Sequence, residues 1–277
     1  MYGDSTVSNY YNGDTSHANI DAHTYIHEMG HVFGLDDYYD YEYEVIPGGR
    51  YTMQDENVST HDPFSYIALN WADPYIPTKS CTITIGDFAT THDVILLTPK
   101  WNSYDSAFDE YILLELYSLT GLNEMYKQKF HDVILPDAVG IRVWHVDARL
   151  AYITVSKPNL SLSQLTTNPN DTNKYYIVAC KNTYNGPHSS ELALAGYSQF
   201  YSFNILQLIR KDTHADYYPT DNFSSADLFG AGATFSMNTY KDQFYNSGKL
   251  NSNVDLGWSF RINSIDANKA SITVIKE

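Results

Sequence analysis

Residues His27-Glu28-Met29-Gly30-His31 have a single local conformation in which their chemistry is coherent, the α-helix. At about 3.6 residues per turn, side chains four apart stack on one face, so His27 and His31 can point both imidazoles at one metal ion. Glu28 sits beside that face. A carboxylate there can polarise a metal-bound water, which zinc already drives toward hydroxide by lowering its pKa to roughly 7. Val32-Phe33-Gly34-Leu35-Asp36-Asp37 follow at once. Gly34 can adopt backbone angles that a residue with a Cβ resists, so it can end the helix and swing the chain back to the metal, where Asp37 arrives as a third ligand. Asp36 offers a neighbouring carboxylate, and spacing favours Asp37. His23, one turn earlier, drifts around the axis as well as along it, so one ion does not hold all three histidines.

The helix is expected from about Ala22 to Phe33, N-capped by Asn19 or Asp21. Tyr25, Ile26, Met29, Val32 and Phe33 recur three or four apart and are expected to face the core.

The run from His27 to Asp37 resembles the long zinc signature of the metzincin-like peptidases, with Asp where most members carry a third His. With Gly34-Leu35-Asp36-Asp37-Tyr38-Tyr39-Asp40, then Met53-Gln54-Asp55, then His61-Asp62-Pro63-Phe64-Ser65-Tyr66 leading to Leu69-Asn70-Trp71, the chain is similar to the immune inhibitor A family of secreted bacterial metalloproteases. Asp36 departs from that pattern, standing where many relatives have Pro. The resemblance implies a zinc endopeptidase that takes a protein or peptide substrate and is secreted or held at the cell surface. In it His27, His31 and Asp37 hold Zn2+, and Glu28 acts as general base before delivering the proton to the leaving amine. Met53, sixteen residues after Asp37, fits the methionine turn beneath the zinc, and reads equally as a core methionine. Tyr51, His61 and Tyr66 are candidates for an oxyanion or substrate contact; His61 also reads as a surface-loop histidine. The same resemblance implies a sheet and backing helix ahead of the metal-binding helix, and only 26 residues precede His27. The chain therefore reads as the carboxyl-terminal portion of a longer precursor, with no export signal in view and with activity that depends on the preceding sheet.

The fold class expected is α+β. Residues 1–78 form the carboxyl-terminal part of a zincin catalytic domain, with its active-site helix and methionine turn. Residues 79–277 form an antiparallel β-sandwich-like domain. Residues 1–17 read as a loop, and Phe64, Ile67, Ala68 and Trp71 as a short helix closing the catalytic half. Beyond residue 78 the period becomes alternating, with strands at Thr82–Ile85, Val94–Leu97, Tyr111–Tyr117, Ile141–Val146, Tyr175–Cys180, Ser259–Ile265 and Ser271–Ile275. Phe203–Arg210 fits helix or strand, and Ser156–Asn173 is a polar loop. His145 and Asp147 share one strand face, either turned toward the site or playing a solvent-facing or structural part.

A formal net charge of −16 repels phosphate backbones and argues against nucleic acid and anionic membrane surfaces. No apolar run is long enough to span a bilayer. From Asp36 to Glu44 acids alternate with tyrosines, which reads either as a solvated acidic loop or as a Ca2+ site built from Asp36, Asp40, Glu42 or Glu44. Cys81 and Cys180 form no metal pattern; pairing and free thiols both fit. Against the peptidase stands a reading from another class, a non-catalytic extracellular module for adhesion or glycan binding, in which the metal helix is a remnant. The intact set of ligands and base weighs against decay.

Overall fold

The computed structural model describes residues 22–42, 44–127, 133–153, 165–170, 175–182 and 203–277. Two antiparallel sheets dominate it. The first has the order β2 (Ile95–Leu97), β3 (Glu110–Tyr117), β4 (Gly140–Asp147), β7 (Leu206–Ile209); the second runs β1 (Cys81–Gly86), β10 (Lys269–Lys276), β9 (Trp258–Ile265), β8 (Thr234–Phe235). A separate pair joins β5 (Leu150–Ile153) to β6 (Tyr175–Val178). Helices are few and short, so the fold is α+β and mainly β. Among the described residues no helix is long and apolar enough to cross a membrane.

Period-2 alternation explains the layering. Along β3, Ile112, Leu114 and Leu116 join Trp258, Phe260 and Ile262 of β9 and Ile272 and Val274 of β10 in one apolar cluster between the two sheets. Tyr111, Leu113 and Tyr117 point the other way, into a second cluster with Tyr38, Tyr51, Val58 and Phe64. The first sheet is thus covered on both faces, and every residue of β3 and β4 is buried. Residues before and after position 78 share that second cluster. The strands expected from alternation all appear, with ends shifted by a residue or two, and Phe203–Arg210 proves to hold a strand, β7. Too short for a period to register are β5, β8 and the helices α2 (Met53–Glu56) and α4 (Phe88–Thr91). Both cysteines are free thiols, Cys180 buried and Cys81 partly so.

Polar residues on β3 and β4 pay for burial by pairing. Arg142 Nε lies 2.8 Å from Glu115 Oε1. Its approach is off the N–H axis, so this is an ion pair rather than a good hydrogen bond. The Trp144 indole N–H donates to the same oxygen at 2.7 Å, and Arg142 Nη1 donates to the Tyr51 carbonyl at 2.8 Å. His145 and Asp147 are neither solvent-facing nor part of the metal cluster. His145 Nε2 lies 3.0 Å from Glu110 Oε1, and both Asp147 oxygens take 2.7 Å bonds from Arg149. Their part is structural.

Helix α1 (His23–Val32) matches the expected span, but its orientation does not. Tyr25, Met29, Val32 and Phe33 are 57%, 52%, 76% and 51% exposed, while His23, His27 and Gly30 are buried. The physical reason is steric: Gly30 lets the α2 segment lie directly on the helix, with the Gln54 side chain in the space a Cβ would need. The polar stripe goes inward and the apolar stripe outward. The N-cap is Ala22, with no side-chain hydrogen bond; Asn19, Asp21 and the loop expected over residues 1–17 lie outside the described residues. Helix α3 (Pro63–Ala68) is capped by Asp62, whose Oδ1 accepts the Ser65 N–H at 2.9 Å. Trp71 falls beyond it and is half exposed, edge-on to Phe33. Most of the Ser156–Asn173 loop is outside the described residues.

Candidate metal centre

Helix α1 ends where Gly34 takes a φ of +98°, a conformation in which only glycine is unstrained. The chain reverses there and delivers Asp37 to the two histidines. His27 Nε2 and His31 Nε2 lie 3.1 Å apart, and Asp37 Oδ1 is 3.0 Å from the first and 3.2 Å from the second. Among the described residues this is the one group of three or more His, Cys, Asp or Glu side chains whose donor atoms gather closely enough for one ion.

The three atoms are of the kind that can hold a cation. His27 Nδ1 lies 2.7 Å from the Met53 carbonyl oxygen, and His31 Nδ1 lies 2.9 Å from that of Leu35. A carbonyl only accepts, so in each neutral ring Nδ1 carries the proton and Nε2 presents a bare lone pair. Asp37 Oδ1, buried, has no hydrogen-bond donor facing it. With both rings neutral, three lone pairs converge on one place. That arrangement is repulsive until a cation enters. The donor atoms lie 3.0–3.2 Å apart, close enough for His27, His31 and Asp37 to share one divalent ion with bonds of about 2.0–2.2 Å. Carbonyl-oriented imidazoles are also the usual outer arrangement of metal-binding histidines.

A proton on His27 is the alternative occupant of the same space. Burial opposes charge on His27, yet the Asp37 hydrogen bond, the Met53 carbonyl and the Asp37 and Glu28 charges outweigh it and raise its pKa. Burial would push the Asp37 carboxyl up, but hydrogen bonds from His27 and Tyr41 and the charges of both histidines pull it down.

Glu28 is exposed beside this cluster, close enough for its charge to act on His27. Met53 is fully buried at the start of α2 and supplies its carbonyl, not its sulfur, to the site. His61 is buried rather than on a surface loop. Burial, with the nearby His27 adding to it, lowers its pKa to about 4, so it is a neutral imidazole at neutral pH. Tyr51 is not gathered with them: its ring packs on Phe223 and borders a cavity of about 430 Å³ with Ile134, Leu135, Pro136 and Ser225. Burial, aided by Asp227 and opposed by Arg210, pushes its phenol up to about 12. Tyr66 packs against Trp71, Phe88 and His92, and burial raises its pKa as well. Of the three, His61 is the one on which His27 exerts its charge, and its ring packs edge-on to Trp71.

Asp36 and Asp37 part company. Asp36 points outward, accepts the Asp37 N–H at 3.0 Å and lies 3.8 Å from Lys181 Nζ. The four acids of the expected calcium site do not converge among the described residues. Asp40 is buried and uses its carboxylate to accept the N–H groups of Glu42, Glu44 and Val45. A residue the sequence did not single out, Tyr41, donates its hydroxyl to Asp37 Oδ2. The only signal for it was its place four residues after Asp37 in the tyrosine-rich run.

Comparison with protein-family models, with curated proteins and with solved structures returns no match for this chain.

Proposed function

We propose that the protein is a zinc-dependent endopeptidase of the immune inhibitor A type, acting outside the cell on protein or peptide substrates. The observation that carries the reading is the convergence of two bare imidazole lone pairs and one undonated carboxylate oxygen within 3.2 Å of one another. Such a trio suits a borderline-soft divalent cation that accepts nitrogen and oxygen together. Helix α1 is the active-site helix in this reading, and the α2 segment is the methionine turn.

Zinc held by His27, His31 and Asp37 would supply Lewis acidity to a water and to the scissile carbonyl. The remaining work belongs to side chains. Glu28 accepts the proton of the attacking water and returns it to the leaving amine, a role open to it because it is exposed next to the ligands and is not one of them. His61, neutral and adjacent, can donate to the oxyanion through whichever nitrogen bears its proton.

Elemental analysis of zinc-loaded, dialysed protein is expected to give about one zinc per chain. Casein cleavage is expected to be lost with a chelator and regained with zinc. Glu28→Ala should keep the metal and lose turnover by about 10²–10⁴-fold. Protein that takes up no zinc would leave the β-rich adhesion module as the better description. A variant that loses metal and turnover together would refute the role given to Glu28.

A further inference from the structure

The two oxygens of Asp37 do different jobs, and a second residue enforces the division. We propose that Tyr41 holds Asp37 as a single-oxygen ligand, keeping the fourth coordination position open; this rests on the zinc reading above. Oδ1 faces both imidazoles, while Oδ2 takes the Tyr41 hydroxyl. A carboxylate free to rotate can offer both oxygens to one ion, and the second oxygen would then compete for the position that water must occupy.

The chain spends several interactions on this one hydroxyl. Asp40, the residue before Tyr41, accepts the backbone N–H groups of Glu42, Glu44 and Val45 at 2.8–3.1 Å and so fixes the backbone beside it. The Tyr41 ring is held edge-on by Tyr39, with centroids 4.9 Å apart, and Lys181 Nζ lies 5.2 Å from its centroid on a face. The same ammonium sits 3.8 Å from Asp36 Oδ2, which keeps the competing carboxylate turned away from the metal. One cation thus steadies the positioning tyrosine and occupies the alternative ligand. Half-exposed Tyr41 contributes little to the core, and its hydroxyl is turned to Asp37.

Tyr41→Phe keeps the ring and its neighbours and removes only the hydroxyl. Zinc affinity, measured by competition with a chromophoric chelator, is expected to fall about tenfold to hundredfold. In the cobalt(II)-loaded protein, visible d–d absorption should weaken as Asp37 supplies its second oxygen and the coordination number rises. The zinc-free thermal unfolding temperature should fall by a few degrees, the cost of one hydrogen bond to a charged group. Wild-type protein that binds no zinc overturns the metal reading and this one with it. Wild-type binding with an unaltered affinity and cobalt spectrum in Tyr41→Phe overturns this one alone. A loss of zinc-free stability with an unaltered cobalt spectrum assigns the hydroxyl to the fold and overturns it too.

Discussion

Replacing Arg142 by Met tests how the sheet holds the metal-binding segment. The guanidinium is almost fully buried and faces Glu115, which has no exposed surface, at 2.8 Å. It also donates to the Tyr51 carbonyl at 2.8 Å and lies over the Tyr117 ring, 4.9 Å from the centroid. Met keeps much of the length and apolar bulk, so the loss is mainly electrostatic. Removing one partner of a buried pair strands the other charge, at a cost of about 3–5 kcal/mol, and leaving the Tyr51 carbonyl without its donor adds about 1–3 kcal/mol. Against a total stability of roughly 5–15 kcal/mol, the variant should be severely weakened. Burial already raises the Glu115 pKa against the pull of Arg142 and Trp144. Without Arg142 it must rise further, so the deficit should shrink as pH falls and Glu115 takes a proton. Urea unfolding of wild type, Arg142→Met, Glu115→Met and the double variant, at two pH values, measures the coupling. The double variant should recover the part of the loss due to the stranded charge, while the Tyr51 carbonyl and the Trp144 indole N–H remain without partners. Additive single effects, or a single-variant cost below about 1 kcal/mol, would refute the claim that the pair and its bond to Tyr51 clamp this layer to the sheet.

Two further outcomes follow from buried polar groups near the same segment. Burial pushes the Asp55 carboxyl up to about 8, against the Arg50 N–H bond that favours the charged form. The folded chain then keeps a proton that the unfolded chain releases near pH 4, so this contribution is present below about pH 4 and lost as pH rises to about 8, by up to about 5 kcal/mol. Asp55→Asn should flatten that slope in urea titrations across the range, and parallel curves would contradict it. Gln54 has no exposed surface and neither amide atom has a hydrogen-bond partner. Gln54→Met, similar in volume, should stabilise by about 1–3 kcal/mol in the same assay, and a loss of stability would show that the amide is satisfied in solution.

How far such features could be read from the amino-acid order depends on the range of the interaction. The closeness of His27, His31 and Asp37 was readable because helix pitch and the Gly34 turn bring them together within eleven residues of chain. Long strands were readable because alternation persists over six to eight residues in β1, β3, β4, β9 and β10. What was misread involved a choice between two stripes on one helix. Apolar periodicity placed Tyr25, Met29, Val32 and Phe33 inside, whereas the histidine–glycine stripe won the interior because Gly30 admits the Gln54 side chain. His61 and Tyr41 were misjudged or missed for a related reason, since each owes its setting to a distant or turn-dependent neighbour.

The orientation of the two histidines lies deeper still. Each imidazole is aimed by a main-chain carbonyl, Met53 for His27 and Leu35 for His31, and the Tyr51 carbonyl is in turn tied to Arg142 on β4. Every residue type has a carbonyl, so no letter at 35, 51 or 53 announces this. Side-chain identity decides which atoms can bind a cation; backbone position decides whether they point at one place. A substitution at Met53 should therefore act on the site through volume and the path of the chain, with sulfur chemistry irrelevant, because the oxygen that holds His27 survives any replacement that preserves the turn.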